Sequence, residues 1–304
     1  MDEKRFMKML SDKDFFNLKK MQYKYSSEDV EEMLVLLNST MYKPLPINDF
    51  VGNALVYLPN MLQLNLNAVK LLQIPLRDKT GFGLQAMEEE IYATLAIENI
   101  EVSRDGVQRI LQGYAPANDD EKYIYGMKKG LEFISNTENK ISEENLHSLY
   151  QLAIENYLTD DSRLPEGQFY RNDKVYIAGN SLDGNVEHQG LSHERLPDYM
   201  GNLIAFINAD DGMNALLKAT AIHFYIGYIH PYFDGNGRTA RLVHLWYLVQ
   251  KGYSTVVARP FSSYINETRK KYYDAFIVVE ENAKISERID VTSFLLYFIE
   301  KITG

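Results

Sequence analysis

Within twelve positions this chain places a histidine, an aspartate, a glycine-flanked turn and two arginines, in the run His230-Pro-Tyr-Phe-Asp-Gly-Asn-Gly-Arg-Thr-Ala-Arg. Each type supplies something that transfer of a nucleotide's phosphate requires. The imidazole of His230 can take a proton from an attacking hydroxyl near neutral pH. Asp234 is a hard oxygen ligand, and Mg²⁺ typically takes one or two protein carboxylates beside the substrate phosphates. Gly235-Asn236-Gly237 permits a tight turn whose backbone N–H groups point one way, a nest for an anion. Arg238 and Arg241, one helical turn apart, can fork onto outer phosphates. By spacing alone this is phosphate chemistry and nothing narrower.

Two helices must hold that loop. Apolar residues at Met213, Leu216, Leu217, Ala221, Phe224 and Tyr228 predict a helix that ends near His230, since a residue before proline is pushed out of the α region. Leu242, Leu245, Trp246 and Val249 predict a second, opened by Arg238 and ended by Gly252. Its N-terminus brings orphan donors and a positive dipole end to the anion.

Taken one at a time, these features have plainer readings: a turn, a structural histidine, a solvated arginine pair. Together and in this order they favour a site. The stretch resembles the signature of the Fic family, H-x-F-x-[D/E]-G-N-G-R-x-x-R, through His230, Asp234, Gly235, Asn236, Gly237, Arg238 and Arg241. Tyr232 stands where the family usually has Phe, and its hydroxyl needs a partner or water.

The resemblance implies a mainly α fold, a helical bundle with a small β-hairpin flap, and transfer of AMP from ATP to a Tyr, Thr or Ser hydroxyl of a target protein. In it His230 is the general base and Asp234 the Mg²⁺ ligand. Gly235, Asn236 and Gly237 form the anion hole, and Arg238 and Arg241 hold the outer phosphates. A kinase-like branch has Lys at the place of Gly237, so glycine there argues for nucleotidyl transfer. Self-modification, and reverse removal of AMP with Glu98 orienting a water, are compatible with the same residues.

A second informative stretch runs from Leu84 to Val102. Met87, Ile91, Leu95, Glu98 and Val102 recur at three- and four-residue steps, an apolar helical stripe with a carboxylate set into it. A carboxylate on a packed face needs a partner, and on the residues alone a helix cap or a surface lysine is the commoner one. The Fic resemblance reverses that preference. Thr94-Leu95-Ala96-Ile97-Glu98-Asn99 matches the family's inhibitory motif, [S/T]-x-x-x-E-[G/N], in the class where it precedes the core. There the glutamate pairs with the second arginine, here Arg241, and blocks productive placement of the γ-phosphate.

Between the two stretches, Val107–Leu111 and Tyr123–Ile134 read as helical, and Ser142 as N-cap of a helix through Leu158. Phe169 to Ile177 reads as a β-hairpin turning at Asn172-Asp173 and closed by Gly179. By position it resembles the family's target-docking flap, which would make Val175, Tyr176 and Ile177 docking residues. Pro197 to Asn208 is a further helix. After the signature a helix from Ser263 carries Tyr264, Tyr272 and Tyr273, which the resemblance assigns to the adenine pocket. A last helix spans Val291 to Ile302.

Residues 1–80 read as an N-terminal helical appendage, with a short helix at Val30–Leu37 and another at Met61–Leu72 among the breakers Pro44, Pro46, Pro59, Pro75, Gly52, Gly81 and Gly83. Residues 81–304 read as the catalytic domain, inhibitory helix included. A net charge of −10 gives no basic footprint for nucleic acid or an anionic membrane. Zero cysteines exclude disulfides, a thiol nucleophile and a cysteine-ligated metal. Without a signal-like apolar core or an apolar run near ~20 residues, a cytoplasmic placement is expected. ATP and an unidentified target protein are the implied partners, and a homo-oligomer stays open. Two rival functions remain: a metal-dependent hydrolase using His223, His230 and Asp234, and a non-catalytic nucleotide-binding switch of the same fold.

Overall fold

The computed structural model of this chain describes residues 1–62, 70, 83–178, 186–253 and 260–303. The helix expected from Met61 to Leu72 lies almost wholly outside them, as do Pro75, Gly81 and Gly179. The described residues are mainly helical, with two separate two-stranded antiparallel sheets. No described helix is long and apolar enough to cross a membrane.

The chain packs as two compact units, one of Met1–Asn65 with Lys270–Gly304, the other of Leu66–Arg269. That differs from a division at residue 80, because the C-terminal residues join the N-terminal ones. In the first unit, α1 (Glu3–Leu10), α2 (Leu18–Lys24) and α3 (Ser27–Leu36) bury Met9, Met21, Val30 and Met33 against one another. α3 starts on a capping box between Ser26 and Asp29. β1 (Lys43–Asn48) pairs antiparallel with β2 (Ala54–Tyr57). The C-terminal segment is tied in by backbone: Val56 N–H donates to the Ile289 carbonyl and Val291 N–H to that of Val56, both at 2.9 Å. Asn282 adds bonds to the Phe16 carbonyl and the Leu18 N–H, also 2.9 Å each. The Tyr272 ring meets Phe276 and Phe298 edge to face, and Phe294 and Tyr297 at a tilt.

The second unit is built around a pair, α9 (Ala215–Ile229) and α10 (Asn236–Gln250), which share the most extensive helix–helix contact among the described residues. Both are buried nearly all round, the sign of helices at the centre of a bundle. Around them stand α4 (Leu84–Ile97), α5 (Arg104–Leu111), α6 (Asp119–Ser135), α7 (Glu143–Ala153), α8 (Leu196–Asn208) and α11 (Phe261–Glu267). Ser142 caps α7 through the Asn145 N–H, as the sequence predicts. That helix stops at Ala153 and a 3₁₀ turn continues to Tyr157.

Two readings need correction. The hairpin does not turn at Asn172-Asp173: its strands are β3 (Tyr176–Ala178) and β4 (Val186–Gln189), paired Tyr176 to Gln189 and Ile177 to His188. Tyr170 and Arg171 are buried instead of pairing as strand, so residues 169–174 bend toward the protein. The helix expected from Ser263 through Tyr273 is broken at Thr268, where α11 ends and α12 (Arg269–Ser286) begins; α13 (Thr292–Thr303) is the last helix.

Candidate active site

α9 ends at Ile229 because His230, before a proline, adopts a left-handed conformation, φ 54° and ψ 68°. In that pose its N–H still bonds the Ile226 carbonyl, and ring Nδ1 lies 2.8 Å from the Gly227 carbonyl. A carbonyl only accepts, so Nδ1 carries the proton and Nε2 the lone pair. That is the tautomer a general base needs.

The loop closes on itself through Asn236, whose Oδ1 accepts from Tyr232 N–H and whose Nδ2 donates to the Tyr232 carbonyl, both at 2.9 Å. Gly235 caps α10 at φ 78°, and a Cβ there would lie 2.4 Å from the Ile154 side chain, so both conformation and space demand glycine. α10 opens at Asn236, two residues before the expected Arg238. The reversal therefore falls at Gly235, and the N–H groups of the following residues head the helix as an anion site. Tyr150 donates to the Asp234 carbonyl at 3.1 Å, and its ring stacks on Tyr232, centroids 3.7 Å apart and nearly parallel.

Tyr232 is fully buried, and its hydroxyl has no hydrogen-bond partner among the described residues. Burial also pushes its pKa far up, so the hydroxyl stays neutral. Leaving a buried hydroxyl unmatched typically costs about 1–3 kcal/mol. Tyr232→Phe is therefore expected to stabilise the protein by roughly 1 kcal/mol, read as a raised denaturant midpoint at constant slope. An unchanged or lower midpoint would show that the hydroxyl finds a partner in solution.

The two arginines are engaged differently. Arg238, 2% exposed, reaches Asp234 with Nη2 at 3.3 Å and lies over the Tyr123 ring, while its Nε and Nη1 have no hydrogen-bond partner among the described residues. A buried guanidinium with two unmatched donors beside an N–H nest calls for an anion. Arg241 is bonded through Nε to Thr94 Oγ1 at 2.7 Å, and through Nη2 to the Thr94 carbonyl at 3.2 Å and Glu98 Oε1 at 2.5 Å. A Cβ on Gly237 would lie 2.5 Å from that same Glu98 oxygen, so glycine leaves the room the glutamate fills.

Glu98 is not in mid-helix. α4 ends at Ile97, Glu98 is its C-cap, Asn99 turns left-handed at φ 58°, and Val102 lies beyond the helix. A carboxylate at a helix C-terminus faces the negative dipole end and needs cations to hold it there. Burial pushes the Glu98 carboxyl up, but Arg241, with Arg238 and His230 beyond, brings it below its ordinary value. A carboxylate held low contributes stability that is present above its unfolded pKa and lost as pH falls through the folded one. The Glu98–Arg241 pair is thus weakened by acid and not by base.

The structure brings His230, Asp234, the 235–237 turn, Arg238, Arg241, Thr94 and Glu98 together. Of the three tyrosines assigned to adenine, Tyr264 sits on α11 in the second unit, and Tyr272 and Tyr273 sit on α12 in the first, Tyr272 packed among aromatic rings. His223 is fully buried beside His244. Burial lowers its pKa and that of His244, the latter to about 3, and the rings sit edge to face. Among the described residues no three His, Cys, Asp or Glu side chains form a group that could hold a metal, so His223, His230 and Asp234 are not a ligand set.

Residues 140–248 match the model of the Fic/DOC family. Over those residues the chain is similar to Fic/DOC proteins. It is 28% identical over 211 residues to a protein adenylyltransferase Fic of Culex quinquefasciatus, a match covering 66% of this chain and 39% of that protein. A probable protein adenylyltransferase of Aquifex aeolicus (strain VF5) is 24% identical over 211 residues, covering 68% of this chain and 61% of its own. The chain thus spans less than two thirds of either relative. Among solved structures, a Fic family protein from Desulfovibrio desulfuricans G20 superposes with a TM-score of 0.58 at 21% identity, covering 72% of this chain and 62% of that one. A Fic domain containing signaling protein from Bacteroides thetaiotaomicron VPI-5482 gives 0.57 at 20%, covering 81% and 91%. At such identities these likenesses establish the fold, which is that of Fic proteins.

Three residues near the site carry no signal in the sequence. Tyr150, which holds the Asp234 carbonyl, is hidden in an apolar helical pattern. Glu90 is buried on α4, accepting from the Ser262 N–H at 2.8 Å and its hydroxyl at 2.5 Å. Arg171 is buried under the hairpin. No local spacing marks them, because their partners are 84, 172 and 59 residues away.

Proposed function

We propose that this chain is a protein adenylyltransferase that moves AMP from ATP to a Tyr, Thr or Ser hydroxyl of a target protein and is held inactive by Glu98. The observation that carries the reading is the contrast between its two buried arginines: Arg238 keeps unmatched donors beside the N–H nest, whereas Arg241 is occupied by Thr94 and Glu98. A binding switch would need neither the Nε2 lone pair of His230 nor a carboxylate at Asp234.

In this reading His230 Nε2 takes the proton of the target hydroxyl. The hydroxyl oxygen bonds to the α-phosphorus, the bond from that phosphorus to the bridging oxygen breaks, and pyrophosphate leaves. The nest and Arg238 meet the charge on the leaving phosphates, and Arg241, once released, meets the γ-phosphate. Asp234 would hold Mg²⁺. Its carboxylate is half exposed and met by the Gly235 N–H at 2.5 Å and Arg238 at 3.3 Å, which fits one protein oxygen beside phosphate and water ligands. Bound there, Mg²⁺ would neutralise phosphate charge.

The test uses ATP labelled at either end. Label on the α-phosphate is expected to remain on protein and label on the γ-phosphate to leave with pyrophosphate. Retained γ-label would mean phosphoryl transfer, and bound ATP without covalent label would mean a switch. Asp234→Ala is expected to slow α-label incorporation by on the order of 10²-fold, the scale of an ångström's misplacement, with only partial recovery at high Mg²⁺. Activity indifferent to both the substitution and EDTA would remove Asp234 from metal binding.

A further inference from the structure

One buried side chain that bonds the His230 carbonyl belongs to none of the motif positions. Arg171 is 2% exposed, and its guanidinium is surrounded by backbone carbonyls. Nε donates to the His230 carbonyl at 2.7 Å, Nη1 to that of Asp173 at 2.6 Å, and Nη2 to that of Leu191, with Ile229 at 3.5 Å. Its own N–H donates to the Pro231 carbonyl at 3.0 Å. Burial lowers its pKa to about 10, still charged at neutral pH.

Those carbonyls belong to three pieces of chain. Ile229 and His230 end α9, where orphan carbonyls and the negative dipole end favour a cation. Asp173 precedes β3 and Leu191 follows β4, so they are the two roots of the hairpin. The roots are joined to each other, Gly190 N–H to the Val175 carbonyl at 3.1 Å, and to the helix end, Leu191 N–H to the Ile229 carbonyl at 3.2 Å. Gly190 completes the junction by having no side chain. A Cβ there would sit 2.7 Å from Val175, 2.9 Å from Arg171 Nη2 and 3.2 Å from the His230 Cβ.

We infer that Arg171 is a positioning residue that keys the hairpin to His230, fixing the target-docking strand in register with the base; the inference rests on the AMP-transfer reading. One planar fork holds both hairpin roots and the carbonyl of a left-handed histidine, so the strand cannot shift without moving the ring. In the AMP-transfer reading the ATP contacts belong to the 235–241 segment, and none of Arg171's hydrogen bonds reaches that segment. Lysine keeps the charge but cannot reach three diverging acceptors in a plane.

The test uses the full chain with Glu98→Gly as parent, adding Arg171→Lys, Arg171→Met or Gly190→Ala. Gly190→Ala keeps the arginine and disturbs it from outside, so the inference does not hang on one variant's folding. Hydrogen exchange needs no activity: amides at Gly190 and Leu191 are expected to exchange at least about 10-fold faster, with those of α10 unchanged. For self-modification, kcat is expected to fall about 10²-fold in Arg171→Met and Gly190→Ala, and less in Arg171→Lys, while KM for ATP stays within about 3-fold. Unchanged exchange at the hairpin roots overturns the inference. So does a kcat that survives their release, or a kcat loss accompanied by an equal loss of ATP affinity. If the Glu98→Gly parent transfers no AMP, the AMP-transfer reading falls, and exchange alone then decides whether Arg171 keys the hairpin to His230.

Discussion

Glu98→Gly is expected to raise AMP transfer by about 10²-fold or more, including self-labelling on exposed Tyr, Thr or Ser. In the structure Arg241 is 1% exposed and occupied by Thr94 and Glu98, so a γ-phosphate must compete with a carboxylate already in place. If the carboxylate wins, ATP binds with its α-phosphate displaced from the line of attack, and about an ångström of displacement costs ~10²-fold. Removing the side chain leaves His230, Asp234, the nest and both arginines intact. It also leaves a buried guanidinium short of an acceptor, for which a stability loss of roughly 1–3 kcal/mol is expected. The two effects are separable with ligand. If the γ-phosphate takes Glu98's place, saturating Mg²⁺–ATP at about 100 times Kd returns ~2.7 kcal/mol, and the variant's Tm recovers more than the wild type's. A variant less stable, no more active and no better rescued by ATP would make Glu98 a structural cap.

His230→Ala in that released background is expected to abolish most of the gain, by about 10²–10⁴-fold, the usual contribution of a general base. ATP affinity should stay, because the anion site is built from Gly235 onward and from Arg238. The backbone complicates alanine. His230 sits at φ 54°, where an alanine is strained by roughly 1–2 kcal/mol and where Asn is among the more tolerated residues. His230→Asn is the cleaner test, since its amide can still donate to the Gly227 carbonyl while offering no basic nitrogen. Both variants should bind ATP and neither should label protein. If His230→Asn transfers AMP at the parent's rate, the hydroxyl proton goes elsewhere and His230 is only a helix cap.

What the sequence determined by itself was everything whose cause is local. Pro231 stops α9 at His230, Gly235 reverses the chain, and the apolar periods on either side specify two buried helices, so the conformation of the loop between them was legible from twelve residues. The Thr94–Glu98 stretch was legible as a helix carrying an ill-placed carboxylate, but its partner on the residues alone was not. That Arg241 is the partner, 143 residues away, is a fact of packing. The same holds for the C-terminal residues, which look like the end of one domain and join the N-terminal residues through the backbone bonds of Val56 and the side chain of Asn282. The hairpin shows the limit most clearly. Asn172-Asp173 has the composition of a turn, yet the strands begin three residues later, because burying the Arg171 guanidinium among the carbonyls of His230, Asp173 and Leu191 satisfies more polar groups than a local turn could. Local propensity decides which way a chain can bend, and only tertiary structure decides which carbonyls a buried cation will find.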